Sequence, residues 1–451
     1  MMITADLLIT GAGELLICPV RVPGVTGRAD LGTISRGAVA AREGRIVWVG
    51  EGPRWRREVS LVPSAEVVEV EGRVVMPGLV ECHTHLCFAG RRADEYQQRV
   101  RGATYRELAA AGGGILRTVA ATRAASNAEL GALVQRRLDR FLAYGVTTVE
   151  GKSGYGLSSE HEVRMLEVQR SVAAQHPVDV VGTVLGAHTI PKDYAGRADE
   201  YVGLVVEHMI PAAAERGLAR FCDVFCEAGA FSPAQARRVL EAGRRHGLLP
   251  KLHADQLTSS GATELGVEMG AASVDHLDRV SDSGIAALSR AWAARAAGPA
   301  AGGLTEPAAA WRAPVAVLLP GATFFLGEGG AAPARGLLDA GVPVALSTDF
   351  NPGSSPTQNL WLMTTLGCSQ LRMTAAEVIR AVTIEAATAL ALEHEVGGLE
   401  VGKKADILIL ECDDHQEIPY HYGMNPVQRV YKNGKCVGGS AGPKAPAALT
   451  G

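Results

Sequence analysis

Residues 74–86 read VVMPGLVECHTHL, an apolar run that ends in two histidines one residue apart. The run predicts a buried strand, and in a strand the side chains of residues i and i+2 point to the same face. His83 and His85 should therefore project together from the end of this strand. Two imidazoles placed side by side form half of a metal site. The pair alone also fits a plainer interpretation, in which one histidine bonds a carbonyl group and the other is solvated.

The composition is that of a folded protein with a large core. The chain has 451 residues, 47% hydrophobic and 20% charged, which predicts one large domain or two to three ordinary ones. Its net charge is −4, and no basic block indicates binding to nucleic acid or to an anionic membrane surface. The eight scattered cysteines favour reduced thiols. With no secretion signal and no apolar run of membrane-spanning length, we expect a cytoplasmic protein.

The order of the predicted elements indicates an α/β protein. Short β-branched runs separated by turns fill the first 75 residues, and the β pattern returns near residue 395. Between them, apolar strands alternate with helical segments, and the strand that ends in His83 is the first of eight. This predicts a TIM-like (β/α)8 barrel over residues 76–390, with residues 1–75 and 391–437 forming one small β-sandwich domain. A doubly wound open sheet is the structural alternative.

Two segments do not follow this alternation. Residues 290–313 are rich in Ala, Gly and Pro, which predicts an inserted surface loop. Residues 438–451 have the composition of a linker, and we expect a disordered tail there.

Titratable residues mark the ends of the predicted strands, and in α/β barrels the active site lies at the C-terminal ends of the strands. Singly, each has a commoner structural role, such as a hydrogen-bonded histidine or a helix cap. Jointly, three imidazoles and one carboxylate suit Zn²⁺ or Fe²⁺ and leave room for a water molecule; these are His83, His85, His253 and Asp349. The other strand-end residues are Lys152 or Tyr155 after the second strand, His188 after the third, Glu227 after the fourth and His276 after the sixth.

Longer motifs carry a family resemblance that runs from about residue 35 to 436. The chain resembles the metal-dependent amidohydrolase superfamily and, within it, the imidazolonepropionase family of histidine degradation. The glycine-rich and KSGYG segments are the most specific, because they are not general features of the superfamily. The matching stretches are HTHL at 83–86, RGATY at 101–105, AGGGI at 111–115, KSGYGL at 152–157, GAH at 186–188, LHAD at 252–255, LPGA at 319–322 and DFNPGS at 349–354.

The resemblance implies a reaction and a set of roles. The reaction is hydrolysis of the ring amide of 4-imidazolone-5-propionate to N-formimino-L-glutamate by a homodimer that holds one divalent metal, Zn²⁺ or Fe²⁺/Fe³⁺. His83, His85, His253 and Asp349 would bind the metal, and Asp349 and His276 would take part in catalysis. The residues implied to bind the substrate are Arg92, Tyr155, His188, Gln256, Asn351, Gly353 and Ser354.

Two positions need comment. Several members of the family carry Glu where this chain has Gln256, and because an amide cannot take up a proton, no acid–base role is assigned to Gln256. From the residues alone, either Arg91 or Arg92 could bind the substrate carboxylate. Only the resemblance favours Arg92.

Other functions remain as alternatives. A nucleobase deaminase or another cyclic amidase of the superfamily would use the same metal ligands, so the metal set does not discriminate; the segments around Arg92, Tyr155 and Asn351 favour an anionic imidazolone. A non-catalytic scaffold or interaction barrel would not need suitable residues at all four metal positions. A binding protein without chemistry would not need Asp349 and His276 together.

Overall fold

The computed structural model describes residues 2–20, 29–103, 107, 113–297, 312–327 and 330–439. The strands of these residues belong to two eight-stranded sheets. In chain order the strands are β1 (Ile3–Leu15), β2 (Ile34–Arg42), β3 (Arg45–Glu51), β4 (Val59–Glu69), β5 (Val74–Pro77), β6 (Leu79–Glu81), β7 (Val146–Lys152), β8 (Asp179–Ala187), β9 (Phe221–Cys226), β10 (Leu249–Ala254), β11 (Ser273–His276), β12 (Val315–Leu318), β13 (Val344–Leu346), β14 (Ile407–Leu410), β15 (Val427–Lys432) and β16 (Lys435–Gly438).

The first sheet is built from both ends of the chain, in the order β16-β15-β14-β5-β1-β2-β3, with β4 also paired to β1. Strand β1 is long enough, at 13 residues, to pair with β2, β4 and β5. Leu7, Val39 and Ile407 lie in different parts of this order but pack in one buried apolar cluster. The prediction of a separate β structure from both chain ends is therefore confirmed, although its strands form one continuous sheet instead of two facing ones.

The second sheet is the barrel. Its strands lie in sequence order from β6 to β13, and the pairings from β8 to β13 are parallel. A doubly wound sheet would reverse this order at one point, so that alternative is excluded. Beyond the strand ends, Thr84 forms a parallel bridge with Phe350, and the His85 amide donates to the Phe350 carbonyl at 3.0 Å. The sheet is thus nearly closed, which confirms the predicted TIM-like barrel.

Helices follow the barrel strands. Ser232 caps one of them with a capping box, and Pro233 occupies its first turn. The α-helices are Trp55–Glu58, Ala93–Val100, Ile115–Ala124, Asn127–Ala143, Ser159–Ala173, Ala198–Leu204, Ile210–Glu215, Pro233–Arg245, Ala262–Glu268, Asp282–Ala297, Pro320–Leu326, Ala334–Asp339, Leu360–Ser369, Ala375–Ala381, Ile384–Ala389 and Glu417–Tyr420. A π-helical turn, Val205–Met209, joins two of them, and 3₁₀ turns span Gly52–Arg54 and Lys192–Tyr194.

The apolar run at 74–80 was predicted as one strand, and this is wrong. The run is divided at Gly78: β5 pairs with β14 in the terminal sheet, whereas β6 is the first strand of the barrel. Pro77 has no amide hydrogen to continue a ladder. A side chain at Gly78 would meet Thr147, since an ideal Cβ there lies 2.4 Å from Thr147 Oγ1. This Pro-Gly pair is therefore where the chain changes sheets.

Contacts divide the described chain into two compact units. Of the described residues, one unit comprises those within 2–81, 139–148 and 359–439, and the other comprises those within 82–138 and 149–358. The domain boundaries predicted at 75/76 and 390/391 stay a prediction. The loop predicted at 290–313 begins too early, because the helix Asp282–Ala297 continues through its first residues; residues 298–311, and residues 440–451 of the predicted tail, lie outside the described residues. Among the described residues, no helix combines the length and the apolarity that a membrane crossing requires.

The close contact at Gly78, where the chain changes sheets, predicts how one added methyl group affects stability. Gly78→Ala should lower the free energy of unfolding by about 1–3 kcal/mol, because the new Cβ overlaps Thr147 in a packed interior. The measurement is the denaturant midpoint of unfolding. Gly131→Ala is the matched control: an ideal Cβ at this position in the helix Asn127–Ala143 lies 3.8 Å from its nearest neighbour, and Ala is the better helix former. Equal midpoints for Gly78→Ala and the unchanged protein would contradict the steric account.

Candidate metal centre and active site

Five histidines and one aspartate meet where the barrel strands end. His83 and His85 follow β6, and His188 follows β8. His253 lies in β10, His276 is the last residue of β11, and Asp349 follows β13. His276 and Asp349 have positive φ angles, 84° and 53°, a backbone conformation that non-glycine residues rarely adopt and that is often found at functional sites.

The distances define two overlapping groups that share His83. The potential ligand atoms of His83, His253 and His276 all lie within 4.8 Å of one another, and so do those of His83, His85 and Asp349. Asp349 Oδ1 is 3.6 Å from Nε2 of His83 and 3.6 Å from Nε2 of His85. The rings of His83 and His253 are closest, with centroids 4.5 Å apart. The structure therefore brings together all of the ligands expected from the sequence, and it places His276 among them.

The free ring nitrogens fit a divalent metal. Nε2 of His83 and Nε2 of His253 are buried, and neither has a hydrogen-bond partner among the described residues. A buried polar atom without a partner is costly, whereas converging imidazole nitrogens beside a carboxylate are the donors that Zn²⁺ and Fe²⁺ prefer. The chemistry of the donor set thus agrees with a single divalent ion.

Two aspartates that the sequence analysis did not single out orient these rings. Asp275 lies 2.5 Å from Nδ1 of His83, and Asp223 lies 3.2 Å from Nδ1 of His253. An imidazole that donates its Nδ1 hydrogen to a carboxylate keeps its Nε2 lone pair for a metal. The signal was present in the sequence, because each aspartate interrupts an apolar strand, in FCDVFC at 221–226 and in SVDH at 273–276.

Burial controls the charges in the site. Burial lowers the pKa of His83, His85 and His276 well below the usual value, and it lowers the pKa of His188 to about 3. These imidazoles are therefore neutral at pH 7, which is the form that binds metal. Burial raises the pKa of the Asp349 carboxyl to about 7; a cation beside this carboxylate would lower it again by favouring the ionised form.

The segment after Asp349 is a tight turn built by side-chain hydrogen bonds. Asn351 Oδ1 accepts from the amides of Gly353 and Ser354, both at 2.8 Å. Ser354 Oγ donates to Asp349 Oδ2 at 3.1 Å, and Asn351 Nδ2 donates to the Asp349 carbonyl at 2.6 Å. Asn351 and Ser354, expected as substrate contacts, thus also fix the position of Asp349.

Arg92 lies against this turn. An ideal Cβ at Gly353 would be 2.3 Å from Arg92 Nη1, so only glycine allows the guanidinium to come this close. Arg92 Nε donates to the buried carboxylate of Glu95 at 2.7 Å, and Glu95 also accepts from the Gly114 amide at 3.1 Å. Arg91 is exposed, whereas Arg92 is half-buried, which supports Arg92 as the arginine of the site.

Tyr155 and His188 form an aromatic wall beside His85. The His188 ring stacks on His85 with centroids 4.8 Å apart, and Tyr155 lies 5.6 Å from His85. The buried carboxylate of Glu162 holds the loop that carries Tyr155, because it accepts from the amides of Gly154, Gly156 and Leu157, each at 2.7 Å. Glu162 is a further residue that sequence reasoning missed.

Three residues at strand ends have other surroundings. Lys152 points into the barrel interior, where it pairs with Glu150 at 3.0 Å. Glu227 supports the loop after β10 by accepting from the Leu257 amide at 2.8 Å. Gln256 lines a small cavity together with Asp278, Arg279, Thr323, Leu326 and Gly330. Its expected contact with the substrate stays a prediction.

Comparison with known proteins places the chain in a family. The sequence profile of the amidohydrolase family matches residues 102–437. An imidazolonepropionase of Geobacillus kaustophilus is 49% identical over 91% of this chain and 92% of that protein. One of Symbiobacterium thermophilum is 47% identical over 96% of this chain and 97% of that protein. The chain belongs to the imidazolonepropionase family of amidohydrolases.

Solved structures of more distant proteins share the fold of this imidazolonepropionase family member. A zinc-bound adenosine deaminase from Xanthomonas campestris superposes with a TM-score of 0.65 at 19% identity, covering 97% of this chain and 93% of the other. A 5-methylcytosine deaminase from Klebsiella pneumoniae, with bound 5-fluorocytosine, gives 0.69 at 15% identity, covering 97% and 99%. At these identities the likeness concerns the fold alone.

The low pKa of His188 predicts how stability depends on pH. An unfolded histidine takes up a proton below about pH 6.5, whereas folded His188 stays neutral down to about pH 3. Between about pH 3 and pH 6.5 the unfolded state therefore binds one more proton at His188 than the folded state does. Because of this difference, the free energy of unfolding is not reduced by His188 above pH 6.5 and decreases as the pH falls below that value. In metal-free protein, we plot the free energy of unfolding against pH between pH 4 and 6. His188→Asn should reduce the slope of this plot by up to about 1.4 kcal/mol per pH unit.

The measurement is denaturant unfolding at a series of pH values. His394→Asn is the control, because the His394 side chain is 81% exposed, and its slope should match that of the unchanged protein. A slope that does not change in His188→Asn would show that His188 makes no such contribution.

Proposed function

We propose that this protein hydrolyses the ring amide of 4-imidazolone-5-propionate to N-formimino-L-glutamate, a step of histidine degradation. The observation that carries the proposal is the 49% identity to an imidazolonepropionase over 91% of the chain. The site supports it, because the chain has a buried donor set for a metal, a carboxyl group beside it and an arginine for an anionic substrate.

We infer that one metal ion, Zn²⁺ or Fe²⁺/Fe³⁺, is held by His83, His85, His253 and Asp349. When bound, such an ion would lower the pKa of a water molecule to about 7, so that hydroxide would be available to attack a carbonyl carbon at neutral pH. Asp275 and Asp223 keep the rings of His83 and His253 in the orientation that binding requires. The zinc in the adenosine deaminase of the same fold is consistent with this set.

The proton transfers fall to residues of this chain. Asp349 would accept the proton of the attacking water and deliver it to the ring nitrogen as the carbon–nitrogen bond breaks. The Ser354 hydroxyl and the Asn351 turn hold Asp349 in that position. His276, whose Nδ1 is buried without a partner among the described residues, would donate a hydrogen bond to the developing oxyanion.

Substrate recognition follows from charge and stacking. Arg92 would form a bidentate ion pair with the propionate carboxylate. Glu95 fixes the guanidinium by accepting a hydrogen bond from Arg92 Nε. The rings of Tyr155 and His188 would pack along the imidazolone ring. Gln256 and the turn of Asn351, Gly353 and Ser354 complete the proposed pocket.

The alternative of a nucleobase deaminase has less support. The deaminases among the solved structures share 15–19% identity with this chain, and their similarity therefore carries only the fold. A homodimer and a cytoplasmic location stay predictions.

The proposal is tested by a direct assay. Purified protein should convert enzymatically generated 4-imidazolone-5-propionate to N-formimino-L-glutamate. A chelator should abolish the conversion, and added Zn²⁺ or Fe²⁺ should restore it. Metal-loaded protein that leaves this substrate unchanged but releases ammonia from purines or pyrimidines would favour the alternative.

The role of Arg92 predicts a specific kinetic change. Arg92→Met should raise KM for 4-imidazolone-5-propionate by roughly 10- to 100-fold, with a smaller effect on kcat, since a charged hydrogen-bonded contact contributes about 1.5–3 kcal/mol. Steady-state kinetics measure both constants. Arg91→Met is the matched control and should leave KM unchanged, because Arg91 is exposed. An unchanged KM in Arg92→Met would remove Arg92 from substrate binding.

A further inference from the structure

Five charged side chains lie in the barrel interior and are completely buried. The interior of such barrels is usually filled by layers of branched apolar side chains. A buried charge is costly, and replacing buried ion pairs by apolar residues is often neutral or stabilising. Their presence therefore indicates a task besides stability. This set, termed the interior charge network, comprises Glu150, Lys152, Asp223, Lys251 and Asp275.

The two lysines connect the three carboxylates. Lys152 Nζ lies 2.7 Å from Asp223, 3.0 Å from Glu150 and 3.8 Å from Asp275. Lys251 Nζ lies 3.1 Å from Glu150 and 3.8 Å from Asp275. Glu150 lies between the lysines and also accepts from the Thr183 hydroxyl at 2.5 Å.

The network continues directly into the rings of two proposed metal ligands. Asp275 accepts a hydrogen bond from Nδ1 of His83, and Asp223 accepts one from Nδ1 of His253. Lys251 also donates to the Cys82 carbonyl at 2.9 Å, at the residue before His83. Each lysine is thus one carboxylate away from an imidazole whose Nε2 is buried and has no hydrogen-bond partner in the described chain.

We propose that Lys152 and Lys251 are positioning residues for the metal centre. By holding the carboxylates of Asp223 and Asp275 against Nδ1 of His253 and His83, they direct both Nε2 atoms toward one point. The inference rests on the proposed metal site and adds residues to which neither the family resemblance nor the comparisons give a role. It concerns retention and geometry of the metal, so it is independent of which substrate the protein uses.

The test is Lys152→Met in the full-length protein. Loss of an outer partner of a metal ligand typically weakens binding 10- to 100-fold. We expect a loss of roughly that size in Zn²⁺ affinity, measured by competition with a chromophoric chelator. In protein loaded with Co²⁺, the visible absorption spectrum should change, because it reports the ligand geometry that the network is proposed to set.

The control removes a buried cation elsewhere. Arg380 is buried and pairs with Glu385 at 2.9 Å, so Arg380→Met should lower thermal stability as Lys152→Met does, but should leave the Zn²⁺ affinity and the Co²⁺ spectrum unchanged. If Lys152→Met does not fold, Lys251→Met takes its place, with the same expected losses, because Lys251 holds Asp275 and the Cys82 carbonyl beside His83. Unchanged affinity and spectrum in the folded variant, or an unmodified protein that binds neither ion, would overturn the proposal.

Discussion

Burial is the constraint on which the site depends. A buried imidazole or carboxyl group must find a hydrogen-bond partner or lose free energy, and the barrel supplies partners on one side only. Asp275 and Asp223 satisfy the inner nitrogens of His83 and His253. The outer nitrogens of the same rings have no hydrogen-bond partner among the described residues. The interactions that fix the rings therefore also leave a set of lone pairs facing one point, which is the basis of the proposed metal centre.

The loops around the site are organised in a similar way. Glu162 accepts hydrogen bonds from three backbone amides of the loop that carries Tyr155. Glu95 joins Arg92 to the glycine-rich segment through the Gly114 amide. Buried carboxylates thus shape these loops from within, so that the residues proposed to contact the substrate are in place before it arrives. Such preorganisation reduces the entropy lost on binding.

Local patterns in the sequence were enough to predict the barrel and the residues that converge at its mouth. His83, His253 and Asp349 were found because strand ends meet at one face of a barrel. The break at Gly78 was not found, because the apolar pattern is uniform across it and the contact with Thr147 is made in three dimensions. Asp223 was not found either: its charge visibly interrupts an apolar strand, but this signal does not identify the residues that it contacts. Those partners depend on strand neighbours that are distant in sequence.

The junction at Pro77 and Gly78 also bears on how the protein is made. Strand β5, which leads into the first barrel strand, pairs with β14 near the opposite end of the chain, and the Gly78 amide donates to the Asp406 carbonyl at 2.9 Å. The ribosome synthesises β14, at residues 407–410, long after β5, at residues 74–77. Until then β5 has an open edge, and contacts so far apart in sequence form slowly. The segment beside the histidines should consequently become fully ordered only after β14 has been synthesised.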